Sequence, residues 1–288
     1  MKFKQQLTFE NVVAGKKAFC NIPLGNRLLA VILEIGSGAD LTYDNILDDI
    51  YLKVNDNVQR TMTALELNEL NAANGAQYAA RVVNVAAVGA DRTYLPIYFY
   101  KPWAKLARDQ EGSAWTTDWM NSLRLEAVIK AGVANPVLNA FYVFDNVTNG
   151  GKPQYIEKWI RTDLPAVGSR NSHPSAIERK DIITQISIWD PAAASSISRV
   201  KIKGGGVELV DLYRQQIGAD LQHYAEMTAG MAAEPATAGR LDIAFDGDGL
   251  LESGLPAASY PSLVLDLEYL AAANGSCRAI IQRFGLAE

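Results

Sequence analysis

The sequence predicts an all-β protein with short helices, organised as two tandem domains of the sandwich or jelly-roll type. Three observations predict this class. Candidate strands are short and numerous, Gly, Pro and Asn turns separate them, and each half of the chain contains one clear helix. A parallel βαβ fold would need strands and helices in regular alternation. The 288 residues suit two domains of roughly 100–200 residues each.

A segment near the start of the chain returns in its second half. Residues 50–75 and 198–230 each open with a short alternating run, pass through a tight turn and become helical. The turns are Asn55-Asp56-Asn57 and Gly204-Gly205-Gly206, residue types that tolerate positive φ. The repetition predicts that the chain is a duplicated domain.

Capping signals mark both predicted helices. Thr63 and Glu66 have the spacing of a capping box, and Asn74-Gly75 is a suitable C-terminal stop. Asp211 is the predicted N-cap of the second helix. A single apolar stripe on that helix would contain Tyr213, Ile217, Leu221 and Tyr224.

Alternating and β-branched runs predict the strands. In the first half they cover residues 18–24, 28–35, 81–85, 94–100, 122–130 and 139–145. In the second half they cover residues 155–161, 181–189, 241–245, 262–266 and 279–284, with a loop at 168–174. Gly25-Asn26 predicts that the first two strands form a hairpin.

The strands support the duplication residue by residue. Residues 95–99 match 241–245, residues 122–126 match 262–266, and residues 140–144 match 279–284. Between these anchors the loops differ in length. The polar, Gly-rich residues 146–153 form the best linker, so we predict domains at 1–148 and 149–288.

Bulk composition limits the function. The net charge of −5, with 49% hydrophobic and 20% charged residues, indicates a globular protein without a surface devoted to sequence-specific nucleic acid binding. The first seventeen residues are a basic exception, which we interpret as solvated charge on a terminal arm. Its cations are Lys2, Lys4, Lys16 and Lys17.

Few groups suggest catalysis or metal binding. The histidines are His173 and His223, and no GxSxG, HExxH or P-loop pattern occurs. Acidic residues at 40–49 and 246–249 are interpreted as connections and turns, since the ligand order of a calcium loop is missing. Cys20 and Cys277 have no CxxC spacing and are expected to be buried. We therefore predict no catalytic residues, no cofactor, no metal site and no enzyme activity.

Two further features concern location and contacts. The N-terminus lacks the apolar core of a signal peptide, and no apolar run reaches membrane-span length, so synthesis in the cytosol is expected. The long loop at 101–120 is rich in tryptophan and would either stack on a planar ligand or pack against its own domain or a neighbouring subunit; we favour packing. Its tryptophans are Trp103, Trp115 and Trp119.

The order of these elements resembles a known family. The run VVAGKKAFCNIPLGNRLLAVILEIGSGADLTYDNI at 12–46, the repeated hairpin and helix, and the strand plan of 241–285 are similar to the major capsid protein of corticovirus-type bacteriophages, which are tailless, icosahedral and contain an internal membrane. The resemblance covers nearly the whole chain through pattern and spacing. It implies a double jelly roll without an active site.

The resemblance also implies partners. Homotrimers would form pseudo-hexagonal tiles of the virion shell, with penton and minor capsid proteins and the lipid membrane as further partners, after synthesis in the host cytoplasm. The basic arm would lie near lipid headgroups, and the tryptophans would contact neighbouring subunits or decorate the outer surface. The alternative from another class is a two-domain jelly-roll protein that binds or processes carbohydrate, which would need an aromatic platform.

Overall fold

The structure, a computed structural model, describes residues 1–38, 42–85, 90–104, 107–190, 197–218, 239–245 and 254–287. The chain divides into two compact units. Unit 1 contains residues 1–156 and 286–288, and unit 2 contains residues 157–285. Both consist mainly of antiparallel strands, so the predicted all-β class with few helices is confirmed.

Unit 1 is built from two sheets. Its strands are β1 (Phe3–Thr8), β2 (Lys17–Asn21), β3 (Arg27–Gly36), β4 (Leu47–Val54), β5 (Asn57–Thr63), β6 (Arg81–Val85), β7 (Ala90–Tyr98), β8 (Trp115–Thr116), β9 (Leu123–Ile129) and β10 (Val137–Asp145). The first sheet has the order β1-β10-β3-β7-β6, with β8 also on β3, and the second has β5-β4-β9-β2. Three short helices connect them: α1 (Tyr43–Ile46), α2 (Ala64–Ala73) and α3 (Ala107–Gly112).

Unit 2 follows a related plan. Its strands are β11 (Tyr155–His173), β12 (Ile182–Trp189), β13 (Ile197–Gly204), β14 (Val207–Tyr213), β15 (Arg240–Ala244), β16 (Leu255–Pro256) and β17 (Leu263–Leu286). Strand β12 pairs with β15, β16 and β17, while β13 lies between β14 and β17. The chain reverses within β17, because Tyr269 Oη lies 3.1 Å from Cys277 Sγ, whereas eight extended residues would span about 26 Å.

The strand register shows the duplication directly. In unit 1, Leu33 of β3 lies opposite both Leu95 of β7 and Ala140 of β10. The equivalent row of unit 2 contains Ile188, Leu241 and Ala279. These rows align the residues matched between the two halves of the sequence. Since a one-residue slip would move every side chain to the opposite face, the shared register requires matching cores.

The repeated hairpins agree in the same detail. The turn residues Asn55 and Asp56 have φ of 50° and 66°, and Gly205 and Gly206 have φ of 59° and 85°, as tight hairpin turns require. The N–H of Asn55 donates to Ser122 O at 3.0 Å. The corresponding bond, from Gly205 N–H to Ser262 O, has the same length of 3.0 Å.

Helix α2 begins and ends as predicted. The Glu66 N–H donates to Thr63 Oγ1 and the Thr63 N–H donates to a Glu66 carboxylate oxygen, which completes the capping box. Asn74 is the C-cap, followed by Gly75 at φ 132°. Each helix follows the second strand of its hairpin, β5 or β14, which agrees with the predicted hairpin and helix.

The prediction for the second helix was wrong at its start. Asp211 lies in β14, where Arg199 donates two hydrogen bonds of 2.6 Å to its carboxylate. Within the described residues the helix covers 214–218, and the Tyr213 N–H donates to Gln216 Oε1 at 2.9 Å. Of the predicted stripe, Ile217 is buried. Leu221 and Tyr224 lie outside the described residues.

Two predictions about the first strands were also wrong. Strands β2 and β3 do not form a hairpin, because β2 pairs with β9 in the second sheet and β3 pairs with β7, β8 and β10 in the first. Each strand buries one face, so the alternating pattern is the same whichever sheet it joins. The predicted arm is not free either, since β1 pairs along its whole length with β10.

The remaining differences concern loops. The loop predicted at 101–120 contains α3 and β8. The loop predicted at 168–174 lies largely within β11, which runs to His173. The turn nevertheless begins there, because the Val167 N–H donates to Asn171 Oδ1 at 2.9 Å and Gly168 has φ of 78°. Cys20 and Cys277 are buried free thiols, as predicted.

The capping box gives a first prediction. Thr63→Ala removes the acceptor for the Glu66 N–H, and we expect the free energy of unfolding to fall by about 1 kcal/mol. Urea denaturation followed by circular dichroism measures this change. Thr63→Ser keeps the hydroxyl and is the control. Equal losses in both variants would contradict a capping role.

Candidate assembly surfaces

The four lysines predicted as one basic arm lie in two separate pairs. Lys2 and Lys4 flank Phe3, which pairs with Phe144 near the end of β10. Lys17 lies opposite Val128, close to the connection that leads into the start of β10. Lys16 is beside it, because its carbonyl accepts the Ile129 N–H at 2.9 Å.

The length of β10 separates these pairs. Val137 begins the strand and Phe144 is near its end, a span of about 23 Å at 3.3 Å per residue. The two pairs therefore lie at opposite ends of unit 1. A single flat surface perpendicular to the strands can contact only one pair.

The first pair adjoins an aromatic cluster. The ammonium of Lys2 lies 5.0 Å from the centre of the Tyr100 ring. Edge-to-face contacts of 5.5 to 6.0 Å then connect Tyr100, Tyr98, Trp103 and Tyr78. All four rings are half-buried. Burial, with smaller contributions from the neighbouring tyrosines, raises the pKa of Tyr98 to about 12.

The other tryptophans are placed differently. Trp115 is fully buried, with its ring 4.9 Å from the Phe99 ring. The buried guanidinium of Arg60 lies 5.0 Å from the Trp115 ring and donates to Tyr98 O at 2.6 Å. Trp115 therefore belongs to the interior of unit 1 and is inaccessible to a partner. Trp119 is half-buried.

A partly buried ion pair closes the Lys2 end of the first sheet. Arg27 donates through Nε and Nη2 to the two oxygens of Asp145, at 3.0 and 2.6 Å. Its Nη2 also donates to Glu111 at 3.0 Å. Burial opposes ionisation of Asp145, but the bonds from Arg27 and from the Val147 N–H outweigh it and hold the pKa of this carboxyl below its ordinary value.

The second sheet of unit 1 carries a carboxylate surrounded by cations. Glu126 lies on β9, and its carboxylate forms ion pairs with three cations. The distances are 3.0 Å to Lys53 Nζ, 3.2 Å to Lys17 Nζ and 3.5 Å to Arg124 Nε. Burial opposes its ionisation, and the lysines overcome that effect and lower its pKa. The Lys17 ammonium also lies 4.7 Å from the Tyr51 ring. Lys17 is thus held by neighbours in its own unit.

An apolar edge strand is exposed on the first sheet. Val82 and Val83 of β6 are 63% and 47% exposed. Consecutive strand residues point to opposite faces, so both faces of this edge are accessible. An edge with unshielded valines is the kind of surface that pairs with another chain. Sequence patterning located β6, but exposure on both faces was not deducible from five residues.

The described ranges contain no group of three or more His, Cys, Asp or Glu side chains that could hold a metal ion. In the same ranges, no helix is both long enough and apolar enough to span a membrane. The acidic residues at 246–249 and His223 lie outside the described residues. His173 is buried at the end of β11, and burial lowers its pKa.

Solved structures with the same architecture are viral. The major capsid protein P2 from Bacteriophage PM2 has a TM-score of 0.79 at 17% identity, covering 100% of this chain and 98% of that chain. The STIV MCP has a TM-score of 0.69 at 10% identity, covering 99% of this chain and 97% of that chain. VP54 of PBCV-1 has a TM-score of 0.67 at 13% identity, covering 100% of this chain and 96% of that chain. The fold is that of the double jelly-roll major capsid proteins.

The family follows from the sequence of unit 1. Residues 3–145 match the family model described as viral coat protein P2 N-terminal domain. The chain belongs to this family of viral coat proteins, and it is a major capsid protein. No curated protein sequence matches it. The predicted resemblance and function are confirmed, and the carbohydrate-binding alternative is not favoured.

The ion pair of Arg27 and Asp145 gives a prediction about pH. The folded-state pKa of Asp145 is lowered, so its contribution to stability is present above its ordinary value of 3.8 and is lost as pH falls through the folded value. We expect Asp145→Asn to lower the free energy of unfolding by about 1–3 kcal/mol at pH 7. The difference from wild type should shrink below about pH 4.

Denaturant titrations between pH 2.5 and 7 measure this difference. Asp56→Asn, in an exposed turn, is the control for loss of a carboxylate. A difference between Asp145→Asn and wild type that stays constant down to the lowest pH would contradict the assignment.

Proposed function

We propose that three copies of this coat protein form a trimer whose six jelly-roll domains make a pseudo-hexagonal tile. Such tiles close an icosahedral bacteriophage shell around an internal membrane. The carrying observation is the matching register of the two units, because two equivalent domains per chain allow a threefold ring to approximate a sixfold one. Penton and minor capsid proteins complete the shell, and assembly takes place in the host cytoplasm.

The exposed β6 edge is the surface that we assign to contact between copies. Val82 and Val83 offer apolar area on both faces, and Arg81 adds an exposed cation at the same edge. A coat protein forms a shell from many copies of itself, so we expect the partner at this edge to be a second copy of the chain. Half-buried Trp103 and Trp119 have accessible area that such contacts would cover.

A charge on this edge should block assembly. In Val82→Asp and Val83→Asp, burial of the new carboxylate at the interface would be unfavourable, and we expect monomers in place of trimers. Light scattering after size exclusion measures the mass against 31.3 kDa per chain. Val147→Asp, at a position 44% exposed, is the control. Trimers of normal stability in both edge variants would contradict this assignment.

We assign the membrane-facing end of unit 1 to the side with Lys2 and Lys4. Lys2 adjoins the cluster of Tyr100, Tyr98 and Trp103, and Lys4 is exposed two residues further along β1. Lysine with tyrosine and tryptophan is a combination typical of the lipid headgroup region. At the other end Lys17 is engaged by Glu126.

Neutralising the charges tests this choice without removing β1. Each lysine near an anionic surface contributes about 1 kcal/mol, so Lys2→Gln with Lys4→Gln should weaken binding to phosphatidylglycerol vesicles by about tenfold or more at low salt. Lys16→Gln with Lys17→Gln removes the same charge from the opposite end and is the matched control. Vesicle co-flotation measures both. A larger loss in the control pair would assign the other end to lipid.

A further inference from the structure

A polar cleft of about 300 Å³ lies in unit 2 beside β11, β13 and β17. It forms because the chain reverses after Val167, which brings Arg170 and Ser172 over the outward side chains of the neighbouring strands. Ser172 Oγ donates to Asp266 Oδ1 at 2.5 Å, so β11 is attached to β17 at the edge of the cleft. Lys201 and Lys203 of β13 line the opposite side.

Two acceptor groups of this cleft, those of Asp266 and Asn171, are already hydrogen-bonded, and the Glu268 carboxylate is held by longer ion pairs. Asp266 accepts from Ser172 on one oxygen and from Lys203 at 2.8 Å on the other. Asn171 Oδ1 accepts the Val167 N–H. Glu268 lies 3.6 Å from Arg170 and 3.9 Å from Arg199. Burial opposes ionisation of Asp266, but Lys203 and Ser172 lower its pKa.

The donor groups retain unused capacity. Asn171 Nδ2 is buried and has no hydrogen-bond partner. Lys201 Nζ lies 3.7 Å from Asp211 and 3.9 Å from Glu208, beyond hydrogen-bond length. The Arg170 side chain is 79% exposed, and its 3.6 Å contact with Glu268 is also longer than a hydrogen bond. Three donors, one each from an asparagine, a lysine and an arginine, therefore lack a close acceptor.

The repeat in unit 1 shows that this arrangement is specific to unit 2. There the carboxylate equivalent to Asp266 is Glu126, and three cations lie 3.0 to 3.5 Å from it. The two lysines lie 3.0 and 3.2 Å from this one acceptor, whereas Arg124 Nε has no hydrogen-bond partner. In unit 2 the neutral Ser172 contacts Asp266, whereas in unit 1 the cation Lys17 contacts the equivalent Glu126. Arg170 and Lys201 therefore remain available to a further acceptor.

We propose that this cleft binds a phosphate group. A phosphate supplies several oxygens in a compact anion, which suits donors that converge from two strands, and arginine and lysine are the usual phosphate-binding side chains. The volume leaves room for a substituent on the phosphate, since ligand pockets begin at about 300 Å³. Free inorganic phosphate and a phospholipid headgroup share this chemistry. The nearby carboxylates of Asp211 and Glu208 repel a phosphate, so we expect a low affinity. Occupancy of the site should therefore depend on the phosphate concentration.

The experiment uses the full chain and two probes. Inorganic phosphate is titrated by calorimetry at constant ionic strength into wild type, Lys201→Gln and Arg170→Gln. We expect one site per chain, with affinity reduced about five- to tenfold in each variant. Lys53→Gln removes one lysine from the equivalent ladder of unit 1 and is the matched control, for which affinity should not change. Thermal denaturation checks that all variants are folded.

Vesicles distinguish the two sources of phosphate. Co-flotation uses phosphatidylcholine vesicles with and without phosphatidic acid, at a salt concentration where the Lys2 and Lys4 charges are screened. Binding that depends on phosphatidic acid and on Lys201 identifies a headgroup. Saturable binding of inorganic phosphate without vesicle binding identifies the free anion. The proposal is overturned if neither probe binds saturably, or if Lys53→Gln weakens binding as much as Lys201→Gln.

Discussion

A cross-strand ion pair occurs at equivalent positions in both units. It forms only in one register of its two strands, and that register also decides which side chains enter the core. Lys53 contacts Glu126 at 3.0 Å, and Lys203 contacts Asp266 at 2.8 Å. The residue before each lysine points inward, where Leu52 lies opposite Leu125. Side chains alternate between faces, so a slip that broke the outer pair would also carry the inner leucines into solvent. The lowered pKa of both acids keeps the pairs charged above acidic pH.

The same register supports different chemistry because the connections diverge. In unit 1 the segment between β7 and β9 adds α3 and β8, which places Trp115 in the core beneath the buried Arg60. In unit 2 the reversal within β11 instead forms a cleft over β13 and β17. Long connections cost little extra closure entropy, so they change more readily than the paired strands.

Sequence patterning predicts the strands and the duplication well because both depend on local alternation. It fails where the partner of a strand decides the outcome. Strand β2 and strand β3 alternate in the same way but join different sheets, and β1 resembles a basic tail until β10 is beside it. Asp211 satisfies the rule for an N-cap, yet Arg199 from the adjacent strand holds it in β14. The sequence does not predict the cleft for the same reason, because only the fold brings Asn171 near Lys201.

Duplication followed by divergence explains how identical chains can choose their contacts in the proposed trimer. In the proposed trimer, two equivalent domains per chain provide six similar side surfaces around a threefold axis. Identical side surfaces would allow several different pairings between copies. Unpaired edges must therefore differ. Strand β6 exposes Val82 and Val83, whereas the opposite edge strand, β1, buries Leu7 and exposes Lys4. A lysine-bearing edge resists strand addition, and an apolar one permits it. Specific assembly then requires only that one edge strand per unit remains able to pair with another copy. This restriction limits the alternative contacts between copies.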